Sequence, residues 1–192
     1  MFHFILVTGL KAQSTMYIEV PMNRFNYFNA MQQSPNWSWA ASIQMVLNYY
    51  GVNISQRQIV ERTFISVNGQ LPDLEANISQ ITDNLNNWNI DNNGRRYKVV
   101  ASWGYGAPDP RIVVDQLRMG KPIIVLYKAV IGYRVVVLIG AEYFINYLGG
   151  TTITSVTVMD PYPGLDLYDG RIVYPAEIFA PWNMAYWYVT VY

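Results

Sequence analysis

The chain contains no cysteine and a single histidine, His3. The first absence excludes disulfides, thiolate catalysis and cysteine-based zinc or iron–sulfur sites. The second all but excludes an imidazole general base, because His3 lies in a segment that export would remove. Charge is scarce too: 14% of the 192 residues are charged, and thirteen basic side chains balance thirteen acidic ones. With no basic excess there is no electrostatic footprint for nucleic acid, and none is expected as a partner. No apolar run approaches the ~18–20 residues that a membrane helix needs, so no membrane span is expected. What is present is a 52% apolar share, too high for disorder, on a chain long enough for one domain with a sizeable core.

Residues 1–14, MFHFILVTGLKAQS, carry a short apolar run and then Lys11-Ala12-Gln13-Ser14. This reads as the end of a secretory signal peptide cleaved near Ala12, which places the mature protein in the periplasm, at the cell surface or outside the cell. The competing reading is an ordered first strand. Residues 15–192 form the single domain.

Within that domain the first half is helical. TMYIEVPMNRFNYF alternates like strand or extended chain. Residues 38–50 follow as a helix, with Trp39, Ile43, Val46, Leu47 and Tyr50 at helical spacing and Gly51 positioned to end it. Further helices are predicted over 55–63, capped by Ser55, over 73–88, with a Leu74-Ile78-Ile81-Leu85-Trp88 stripe, and over 109–119. From Lys121 onward the pattern changes to β-branched and aromatic runs: KPIIVLYK, YRVVVLIGAEYF, TSVTVMDPYPG and MAYWYVTVY, with one short helix over 174–182. Helices first and strands second is an α+β order rather than alternating βαβ.

Four places are candidates for chemistry, the aromatic tail being the last of them. Gln32-Gln33-Ser34-Pro35-Asn36-Trp37-Ser38-Trp39-Ala40 leads into the 38–50 helix, where the positive end of the dipole would activate a nucleophile. Arg134 opens an apolar strand, and a charge there needs a partner or an exposed position. Asp160 ends a strand in Asp-Pro-Tyr-Pro-Gly, where it also suits a turn. Ser102-Trp103-Gly104-Tyr105-Gly106 reads as a glycine-rich loop but lacks the frame and lysine of a phosphate loop, and Asp160, Asp166 and Asp169 match no calcium loop. No cofactor and no metal are expected.

The order of these motifs resembles the papain-like cysteine peptidases, most closely the compact bacterial form of secreted peptidases, effector proteases and bacteriocin-leader peptidases. Such proteins carry a glutamine, then Cys-Trp-Ala at a helix start, a histidine before a Val-rich strand, and an Asp or Asn. The resemblance covers about residues 25–190. It implies a helical lobe packed on a bent antiparallel sheet with a cleft between them. Carried over, the oxyanion glutamine falls on Gln32, six residues before the nucleophile position at Ser38, whose own N–H would be the second oxyanion donor. The histidine position falls on Arg134 and the orienting acid on Asp160.

The two positions that perform chemistry are the two that depart. A serine needs a base to remove its proton, and a guanidinium stays protonated and accepts nothing. Arg134 is expected to form a charge-assisted, even bidentate, pair with Asp160, leaving Ser38 inert. The sequence therefore reads as a pseudopeptidase that has kept its cleft for a peptide or protein partner. Trp37 and Trp103 are the stronger candidates to line that cleft and Trp39 the weaker. Two alternatives stand beside this reading. One is a peptidase in an inactivated form, or one using Ser38 with an unorthodox base such as Lys121 or Lys128. The other is a structural or assembly subunit, whose low charge favours association into an oligomer.

Overall fold

A computed structural model describes residues 14–26, 29–86, 90–130, 132–162 and 170–192. Residues 1–13 of the expected export segment, with His3, lie outside the described residues, as do Asp166 and Asp169.

The helical half is built around α2, Ser38–Tyr49, of which only Gln44 and Asn48 are not buried. A helix apolar on nearly every face belongs in a core. Its two polar positions are satisfied locally: Asn48 Oδ1 accepts from Ile54 N at 3.1 Å and Gln44 Oε1 from Gln56 Nε2 at 3.0 Å. The helix ends at Gly51, whose φ of +83° is the left-handed conformation expected of a glycine after a C-cap. Next, α3, Gln56–Thr63, opens with a reciprocal capping box between Ser55 and Gln58. The helix expected over 73–88 is shorter: α4 spans Ile78–Asn86. Asn77 stops it from starting earlier, because its Oδ1 accepts from Gln80 N while its own N–H donates to Gln80 Oε1, each at 2.9 Å. Further on, α5, Pro110–Arg118, is capped by Asp109, which accepts from the N–H groups of Arg111 and Ile112.

Among the described residues the strands form one seven-stranded sheet in which every pairing is antiparallel. These strands are β1 Met16–Glu19, β2 Val99–Tyr105, β3 Ile123–Lys128, β4 Tyr133–Ile145, β5 Thr151–Met159, β6 Arg171–Pro175 and β7 Asn183–Val191. The order is β2-β7-β3-β4-β5-β6, with β1 paired to β4. Burial along β4 runs without alternation from Val135 to Ala141, so both faces of the sheet are covered there. The helix α2 packs on β3 and β4, and α5 packs on β1, β4 and β5. Where β1, β4 and β5 meet, a Cβ on Gly140 would lie 2.9 Å from the Tyr17 hydroxyl and 3.3 Å from Ile18 O, so a side chain there would displace the Tyr17 hydroxyl and crowd β1.

The strand-rich second half and the α+β class are as the sequence implied, with corrections in detail. The segment around Trp103, expected as a glycine-rich loop, is strand β2. The early extended run turns after Pro21 into a short helix, α1, Met22–Phe25. The 174–182 segment divides into the end of β6, α6 Ala176–Phe179 and a 3-10 turn Ala180–Trp182. No helix among the described residues is long and apolar enough to cross a membrane.

Candidate functional site

Ser38 is the first residue of α2 and is buried. Its Oγ accepts a hydrogen bond from Val135 N at 3.2 Å, and Ser42, one turn later, donates from Oγ to Val135 O at 2.8 Å. The register explains the match. Val135 faces Leu126 across β3, and β5 begins to pair only at Val137, so the backbone of Val135 has no strand partner on its other side. Two hydroxyls spaced four residues apart lie on one helix face and supply that partner. The Ser38 hydroxyl is thus turned onto main chain.

Arg134 and Asp160 come together as expected, though by one contact rather than two: Nη1 donates to Asp160 Oδ2 at 3.0 Å. The carboxylate is fully buried and the guanidinium a quarter exposed. Asp160 Oδ2 also accepts from the Tyr127 hydroxyl at 3.5 Å, and its Oδ1 accepts from Tyr162 N at 2.9 Å. The turn-forming and pairing roles foreseen for Asp160 therefore coexist, one on each oxygen. Tyr162 closes the site from above, its ring centroid 4.1 Å from Arg134 Cζ, a cation–π distance. Burial works against the Arg134 charge, but the charge and hydrogen bond of Asp160 outweigh it and raise the pKa above the ordinary arginine value. Burial, reinforced by the Asp160 charge, likewise pushes the Tyr127 hydroxyl up, so it remains a donor. Arg134 and Tyr127 both keep their protons at neutral pH and act in this cluster as donors.

Gln32 is buried and its main-chain N–H donates to Pro161 O at 2.8 Å, which ties its loop to the turn after Asp160. Its side-chain amide folds back onto its own loop, donating from Nε2 to Ser34 O at 3.0 Å and Pro35 O at 2.6 Å. An oxyanion donor must instead aim at the reacting oxygen. Gln33, its neighbour, uses its main-chain N–H on Gln56 Oε1 at 2.9 Å. The structure thus brings the segments of all four residues together, while the side chains make an ion pair, a main-chain clamp and a loop brace.

Beside Ser38 lies a cavity of about 700 Å³ whose apolar wall includes Trp39, Ile78, Leu126, Tyr133, Val135 and Met184, with Asn36, Glu75, Asn77 and Gln80 among its polar groups. Gln32, Arg134 and Asp160 lie outside this wall. The order of the tryptophans is corrected here. Trp37 does not line the cleft; it is buried, with Nε1 donating to Pro72 O at 3.1 Å. Trp39, although only 2% exposed, does reach the wall and is held by a bond from Nε1 to Leu74 O. Trp103, 40% exposed, lines a smaller adjoining hollow with Tyr105, Thr82 and Asp83, which shares Ile78 and Ser79 with the main cleft. Sequence reasoning missed Tyr133 and Met184, nearly half exposed at strand starts, because alternation alone does not say which strand end borders a cavity.

The Peptidase_C39 like family model matches residues 22–186. Among solved structures the chain is similar to a double-glycine-motif protease from an AMS/PCAT transporter in complex with the leader peptide. That likeness has 18% identity and a TM-score of 0.47, over 83% of this chain and 87% of the other. It is also similar to the peptidase domain of Streptococcus ComA, a bi-functional ABC transporter involved in a quorum-sensing pathway, at 12% identity and a TM-score of 0.54, over 84% of this chain and 95% of the other. Comparison with curated proteins yields no match. At such identity the ComA likeness speaks for the papain-like α+β fold alone.

Proposed function

The chain belongs to the Peptidase_C39-like family, and on that premise we propose that it is a catalytically inactive member that binds a peptide or protein in the Ser38 cleft. One observation carries the reading: Arg134, the residue to which the resemblance assigns the base position, is ion-paired with Asp160 and capped by Tyr162. A base must accept a proton, and a guanidinium held in its charged form does not. The Ser38 hydroxyl on Val135 N and the Gln32 amide on its own loop support the same conclusion. What is retained is a cleft with a largely apolar wall and polar groups around it, the usual character of a ligand site.

The test is hydrolysis of fluorogenic casein by the unmodified protein and by the double variant Ser38→Cys, Arg134→His, which restores both reactive groups. No turnover by the unmodified protein is expected, at any pH from 5 to 9. Turnover that fluorophosphonate labelling at Ser38 abolishes would overturn the assignment.

A further inference from the structure

The strand β2 is an edge of the sheet, bonded on one side to β7 only. Lys98 and Tyr192 exchange both main-chain hydrogen bonds, and Gly106 N donates to Met184 O. Alternation along an antiparallel pair then directs residues 98, 100, 102, 104 and 106 toward β7, and the N–H and C=O groups of Val99, Ala101, Trp103 and Tyr105 outward. At Ala101 the outward groups are already closed. Asn86, at the end of α4, accepts from Ala101 N at 2.8 Å and donates to Ala101 O at 3.3 Å, as a neighbouring strand would. No described group does the same for Trp103 or Tyr105. Both are exposed, and their rings meet edge to face at 4.8 Å. Unpaired edge groups are a template for another strand, and native folds normally block them. Among the described residues, one outward position is blocked and the next two are open.

The open stretch is also where the cleft leads. Ile78 and Ser79 line both the Ser38 cavity and the hollow beside Trp103 and Tyr105. We propose that the outward edge of β2 at Trp103 and Tyr105 is a strand-addition site, on which an extended peptide leaving the Ser38 cleft pairs main chain to main chain. The inference rests on the cleft reading and deepens it by naming the ligand class: an extended segment with apolar side chains at alternate positions. Main-chain pairing supplies affinity that tolerates sequence variation, and the aromatic wall selects the alternate side chains. Asn86 fixes where pairing stops. A second copy of the chain is a poorer occupant, because pairing limited to Trp103–Tyr105 is too short to bury the roughly 1,000 Å² of a stable dimer. A peptide already held in the cleft needs only the added hydrogen bonds.

The probe is a short acetylated and amidated peptide alternating valine and threonine between terminal lysines, with a copy N-methylated at alternate residues. Amide hydrogen exchange and side-chain chemical shifts are followed on the full chain. On binding, the amides of Trp103 and Tyr105 are expected to slow about tenfold or more, while those of Ser102 and Gly104, already bonded to β7, do not change. The N-methylated copy loses that protection. Tyr105→Pro removes one outward donor without touching the β7 ladder, a position where an edge strand accepts proline. It is expected to weaken the probe roughly tenfold with an unchanged Tm, whereas Tyr105→Ala, which keeps the N–H, weakens it less. Shifts at Tyr133 and Met184 without protection at Trp103 and Tyr105 would overturn strand addition and leave the cleft reading intact. Silence at both places overturns both readings. Protection that rises with protein concentration alone, with a doubled mass, overturns the peptide as occupant in favour of a second copy.

Discussion

Arg134 shows how a charge at the start of an apolar strand is accommodated by one buried partner. Its guanidinium serves the buried Asp160 carboxylate, and the pair holds the end of β4 to the turn after β5. Arg134→Met leaves that carboxylate with only Tyr127 and Tyr162 N. A loss of about 2 kcal/mol is expected, less than the ~3–5 of a fully buried pair because the guanidinium is a quarter exposed. Urea unfolding measures it, and the double variant Arg134→Met, Asp160→Asn should recover part of the loss because no buried charge remains. If the single variant is as stable as the unmodified protein, the pair is not structural. Ser38→Ala orphans Val135 N and should cost about 1–2 kcal/mol in the same measurement. The candidate positions themselves were legible in the sequence, since Gln32, Ser38, Arg134 and Asp160 stand in a recognisable order of short motifs. Their bonding was not: the clamp of Ser38 and Ser42 on Val135 joins residues up to 97 apart in the chain.

Three elements whose ends are set by neighbours in sequence were read closely, whereas the equally local Asn77–Gln80 cap of α4 was passed over. The capping box of α3, the Asp109 cap of α5 and the glycine after α2 are all local devices. The edge strand β2 was not read, because Trp-Gly-Tyr-Gly carries turn composition and becomes strand only through β7. A comparable long-range device holds the segment between α4 and β2. The buried Asp91 accepts from Asn93 N and Arg95 N at 2.9 Å each and from Asn53 N at 3.3 Å, the last before α3. Burial works against its charge, yet these amides with Arg95 outweigh it and hold the carboxyl below the usual aspartate range. A depressed value in the folded state contributes stability above the ordinary value of about 3.9, lost as pH falls through the folded value. Asp91→Asn should therefore lower Tm at pH 7, and the gap from the unmodified protein should narrow below about pH 4. A gap that stays constant from pH 7 to pH 3 would refute this role.

At the scale of the molecule, a chain with thirteen charges of each sign has little net repulsion to keep copies apart, so an open sheet edge needs guarding. Asn86 is a local guard. Asn86→Ala exposes the Ala101 groups and lengthens the open edge from Trp103–Tyr105 to Ala101–Tyr105. Sedimentation velocity should then show association that rises with concentration, absent or weaker in the unmodified protein. Equal sedimentation of the two would show that the guard is not needed.

The sequence by itself determined the composition of the chemistry. With no cysteine and one histidine, His3, these 192 residues hold no thiolate to pair with an imidazole, whatever the fold. It also determined the helices whose caps are local and the α+β order of the halves. Tertiary structure decided which unpaired groups were satisfied by which partners. Ser38 and Ser42 reach Val135, Asn86 reaches Ala101, and Trp39 rather than Trp37 reaches the cleft. The physical reason is that a buried polar group must find a partner, and that partner is chosen by proximity in the folded chain rather than by spacing along it.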